Sequence, residues 1–111
     1  MTRPTARDFV DAFKRNHITP IQGSFNEIVR DGKYAARDNC GCAITAFMCG
    51  KEPSVLDENC VPLLGDFEAE TGIQPWRFIG GFDGNGRNCD DSDLGREVLE
   101  LLQAEGIEVL S

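Results

Sequence analysis

Apolar positions three and four residues apart recur along most of this chain, the period of helices that bury one side. Phe9, Val10 and Phe13 follow Thr5 and Asp8, a pair with the form of a capping box, and predict a first helix from about Thr5 to Asn16. Ser24 with Glu27 repeats the capping pattern. With Phe25, Ile28 and Val29 as its apolar edge and Gly32 as its stop, this stretch predicts a second, short helix. "KYAARD", residues 33–38, suits either a loop or a helical turn. The third helix is predicted over residues 40–50, with Asn39 as N-cap and Gly50, Lys51 and Pro53 as stop signals. Cys40, Ala43, Ile44, Phe47 and Met48 form one stripe and Cys42, Ala46 and Cys49 cover much of the opposite side, so this helix is expected to be central and buried.

Three further helices are predicted downstream. Leu63, Leu64 and Phe67 suggest one from about Val61 to Thr71, ended by Gly72. Pro75, Phe78, Ile79 and Phe82 suggest another, although its aromatic and β-branched content also suits a strand. Leu94, Val98, Leu101 and Leu102 mark the last, capped by Asp91 or Ser92 and stopped by Gly106. "GIEVL", residues 106–110, is a candidate extended segment. No repeat or long linker divides the pattern, so the expectation is an all-α fold, a single domain over residues 1–111 built of five to six short helices around the cysteine-bearing one.

Composition changes this picture little but restricts function. The chain has 111 residues, 41% of them hydrophobic and 27% charged, in the range of domains that bury one core. No apolar run approaches the roughly 20 residues of a membrane span, and "MTRPTARDFVDAFKRN" is too polar for a secretory leader. The five cysteines, an odd number, argue against a closed disulfide framework, and the expectation is a cytoplasmic protein with free thiols. A net charge of −8 with scattered basic residues argues against nucleic acid as a partner and leaves a protein as the expected one.

Chemistry is suggested at two places. Cys40 and Cys42 would point about 200° apart on one helix, which prevents them from clasping a common zinc ion. Cys40, at the expected helix start, would have its thiolate stabilised by the helix dipole. "CGCAITAF", residues 40–47, resembles the stretch that carries the nucleophile in papain-like peptidases, a family that places a cysteine at the start of a central helix. The resemblance covers about eight residues. It implies a histidine base on a later strand, whereas the only histidine, His17, lies upstream at the end of the first predicted helix.

The second place is "GFDGNGRNCDDSD", residues 81–93, whose Asp83, Asn85 and later aspartates are hard oxygen donors of the kind calcium loops use. Counted from Asp83, the calcium pattern meets Arg87, Asn88 and Leu94 at positions that need an oxygen donor, a glycine and a closing glutamate. Turns and a helix cap account for the same residues. No metal or other cofactor is therefore expected. The sequence reads as a small, acidic, non-enzymatic interaction module whose contact surface comprises Trp76, Asp83, Asn85 and Arg87. The alternative is a thiol-based redox or metal-binding protein that uses Cys40 and Cys42.

Overall fold

The computed structural model describes residues 3–55, 62–84 and 89–111. Within them the fold is mixed α/β, not all-α. The order is α1 (Ala6–Arg15), β1 (Thr19–Pro20), β2 (Glu27–Arg30), β3 (Lys33–Ala36), β4 (Cys40–Gly41), α2 (Ala43–Met48), α3 (Leu63–Thr71), α4 (Pro75–Phe82) and α5 (Asp90–Ala104). The strands make two small sheets, a parallel pair of β1 with β4 and an antiparallel hairpin of β2 with β3.

The helix expected over Ser24–Gly32 is replaced by that hairpin. Its turn residues Asp31 and Gly32 both have positive φ (55° and 76°), the conformation that two-residue hairpin loops require and that Asp-Gly adopts readily. The helix expected over residues 40–50 is shorter, and its start moves. Asp38 and Asn39 are left-handed (φ 54° and 57°), which breaks any helical path before Cys40, and Cys40–Gly41 then pairs with Thr19–Pro20. Cys42, not Cys40, stands at the N-cap of α2.

The other helices follow their local signals, except that α5 starts earlier than expected, with Cys89 rather than Asp91 or Ser92 at its N-cap. Thr5 and Asp8 form the reciprocal capping box of α1. Gly72, at φ 73°, ends α3, while Pro75 occupies the first turn of α4 and Gln74 caps it through Arg77 N. Residues 107–109 extend toward Leu110, which bridges to Ile21.

Within α2, Ala43, Ile44, Thr45, Ala46 and Met48 are all buried, and the helix contacts α1, β3, α3 and α4. Beside it lies an aromatic cluster in which Phe9 meets Phe47, Phe67 and Phe78 at ring-centroid distances of 5.0, 6.0 and 4.7 Å. Helices α4 and α5 pack with their backbones in contact, because two glycines leave room for it. A Cβ on Gly81 would lie 1.9 Å from Ser92 O, and one on Gly95 would lie 2.1 Å from Phe78 O. Among the described residues, no helix is long and apolar enough to cross a membrane.

Candidate functional site

The loop between β1 and β2 is held against two helices by polar bonds that span long stretches of sequence. Gln22 Nε2 donates to Phe82 O at 2.8 Å, and Gly23 N donates to Asp83 Oδ1 at 3.1 Å, which ties the loop to the C-terminal end of α4. On the other side, the buried Thr45 Oγ1 donates to Phe25 O at 2.6 Å and fixes the loop to α2. Between these anchors lies a cavity of about 110 Å³ lined by Gly23, Ser24, Phe25, Cys42, Trp76, Ile79 and Asp83.

Trp76 stands at its edge with 62% of its surface exposed, on the first turn of α4. Its ring meets Phe25 edge to face, with centroids 5.8 Å apart and planes at 72°. The helix beneath it is fixed in several ways. Ser92 Oγ donates to Arg77 O at 2.9 Å, Asp91 Oδ2 accepts from Gln74 N at 3.0 Å, and Gly81 and Gly95 set the backbone contact with α5. An exposed aromatic ring is thus carried on an immobilised support.

Of the residues expected to form a contact surface, the structure brings Trp76 and Asp83 to one cavity. Asn85 and Arg87 lie outside the described residues. Phe25 and Ile79 also line the cavity without a sequence signal that marks them as site residues, while Cys42, which joins them, belongs to the thiol alternative. The helical spacing of Phe25, Ile28 and Val29 masks the place of Phe25 in a loop, although the Asp31-Gly32 turn signals the hairpin that follows it.

The thiols are divided by their surroundings. Cys42 lines the cavity floor at 2% exposure, with its Sγ 3.6 Å from Thr45 Oγ1. Since the single hydroxyl proton of Thr45 is committed to Phe25 O, the thiol is the donor in that contact and keeps its own proton. Burial pushes the Cys42 thiol up to about 11 from its ordinary 9.0, and the charge of Asp83 acts in the same direction, against the backbone N–H groups of Thr45 and Ile44. Cys40 sits in β4, so the helix dipole invoked for it does not apply. Cys89 caps α5, and its hydrogen bonds with Ser92 are the main cause that lowers its thiol below the ordinary value. His17 is exposed just beyond α1, and Cys60 lies outside the described residues. Among the described residues, no group of three or more His, Cys, Asp or Glu side chains comes together as a metal site.

Two results should follow. In native protein treated with a thiol reagent near neutral pH, Cys89 should label well before Cys42, and equal rates would contradict the burial of Cys42. A raised thiol pKa also contributes stability below the unfolded value that is lost as pH rises through the folded one. Stability should therefore fall between pH 9 and about 11, with Cys42 contributing ~2 kcal/mol of the loss. Tyr34, likewise raised by burial and its bond to Asp66, adds to the fall at the alkaline end. Denaturant melts of Cys42→Ala should show a shallower decline than the parent protein over the same interval.

No family model, curated protein sequence or solved structure matches this chain. The reading of function therefore rests on the site itself.

Proposed function

We propose that this chain is a noncovalent interaction module, working in the cytosol on a protein partner, with the corner formed by Trp76 and Phe25 as its contact surface. The observation that carries this reading is Trp76, an exposed tryptophan held edge to face by Phe25 over a cavity, on a helix locked to its neighbour. Rigid aromatic side chains beside a pocket are the type most enriched among residues that dominate binding energy, because they present a large area at little entropic cost. The net charge of −8 opposes binding to phosphate backbones.

A nucleophilic role for Cys42 gains no support from its neighbours. Among the described residues, Asp83 is the other ionisable group lining the cavity, and its charge disfavours the thiolate rather than generating it.

The test is capture of partners from extracts of the source cells, using tagged protein and cross-linking. Trp76→Ala should reduce recovery of the specific partner at least tenfold and leave the melting temperature within about 2 °C of the parent, since an exposed side chain contributes little to stability. Undiminished recovery with Trp76→Ala would refute the reading.

A further inference from the structure

We propose that the cavity beneath Trp76 receives the side chain of an arginine presented by the partner protein, a proposal that rests on the interaction reading and names the chemistry of the contact. Size comes first. At about 110 Å³ the cavity has room for roughly three or four water molecules' worth of volume, well below the roughly 300–1,000 Å³ of sites that enclose cofactors or metabolites. It suits the end of one side chain.

The walls then select among side chains. Trp76 and Phe25 meet at 72° and form an aromatic corner, while Ile79 and the protonated Cys42 supply an apolar surface. Asp83 is the carboxylate among these residues. Its Oδ1 accepts from Gly23 N, and Oδ2 has no partner among the described residues. An anionic group entering here would meet a like charge. A neutral apolar one would strip water from Asp83 without replacing its hydrogen bonds.

A cation meets both demands, and the guanidinium meets them best. It is planar, weakly hydrated, stacks on aromatic faces and donates two parallel N–H groups to a carboxylate. A lysine ammonium is a compact, strongly hydrated point charge that cannot stack in the same way. The overall charge of −8 steers cationic segments toward the molecule.

The sole tryptophan provides a single indole N–H resonance to follow. Purified protein is titrated with the capped tripeptide acetyl-Gly-Arg-Gly-amide, with its lysine and citrulline counterparts, and with free arginine. The arginine tripeptide should shift the Trp76 indole signal saturably. The lysine peptide should bind more weakly, and the citrulline peptide, equal in shape but uncharged, at least tenfold more weakly. Asp83→Asn keeps an acceptor for Gly23 N and should preserve the backbone amide spectrum while it weakens the arginine peptide about tenfold.

A citrulline peptide that perturbs the indole as much as the arginine peptide would overturn the proposal, as would an Asp83→Asn protein that binds arginine unchanged. Tighter binding of free arginine than of the capped peptide would make this a small-molecule site and overturn the assignment to a partner chain. If a partner recovered through Trp76 binds Asp83→Asn protein at full strength, the arginine assignment fails while the interaction reading stands.

Discussion

Phe9→Ala should destabilise the fold by about 3–5 kcal/mol, the usual loss when a fully buried aromatic side chain is removed and a cavity is left. Phe9 has no exposed surface, and its ring touches Phe47, Phe67 and Phe78, which belong to α2, α3 and α4. Because this one ring packs against three helices at once, the space cannot be refilled without shifting several elements together. Denaturant melts would measure it, and a loss below about 1 kcal/mol would mean that the cluster collapses freely around the gap. The same truncation at Phe47 should cost less, because that ring is only partly buried and its outer face is covered by Lys51, whose Nζ lies 5.5 Å from the ring centroid.

Gly95→Ala should be comparably damaging through the opposite defect. One added methyl group would lie 2.1 Å from Phe78 O and 2.7 Å from Phe82 N, both backbone atoms that no side-chain rotation can move. The helices α4 and α5 must separate to admit it. Overpacking of this kind typically costs 1–3 kcal/mol, and about 3 kcal/mol is expected here because the obstruction is backbone. The consequence reaches the site, since α4 carries both Trp76 and its C-cap Asp83. If the variant still folds, the indole resonance of Trp76 should move from its native position even without ligand. A parent-like spectrum and an unchanged melt would show that the helices are not held in backbone contact.

The elements legible in the sequence are those whose causes are local. The capping box of Thr5 and Asp8, the left-handed Gly72, Pro75 at a helix start and the stripe of Leu94, Val98 and Leu102 all act within one or two helical turns, and all four helices form, the last of them capped by Cys89 and not by Asp91 or Ser92. The buried character of the cysteine-bearing helix was also legible, since a helix apolar on nearly every side has to lie inside. The hairpin had its own local signal, Asp31-Gly32, but the helical spacing of Phe25, Ile28 and Val29 gave a competing account, and a short apolar run serves either period.

The rest was decided by contacts between residues far apart in the chain. Two-residue strands such as Thr19–Pro20 and Cys40–Gly41 have no periodicity of their own and exist because each supplies the other's hydrogen bonds across about twenty residues. That pairing shortens α2 and determines which cysteine starts it. The cavity depends on longer connections still. Gln22 reaches Phe82 across 60 residues, Gly23 reaches Asp83 across the same interval, and Thr45 holds Phe25 across 20. The sequence by itself offered the helical spacing of Pro75, Phe78, Ile79 and Phe82, which leaves Trp76 outside, and the structure chose that helix over the strand the same residues also suit. Only the tertiary structure decided that Phe25, Cys42, Ile79 and Asp83 would gather beside it, because hydrogen bonds and packing between distant segments leave no trace in the local pattern of either.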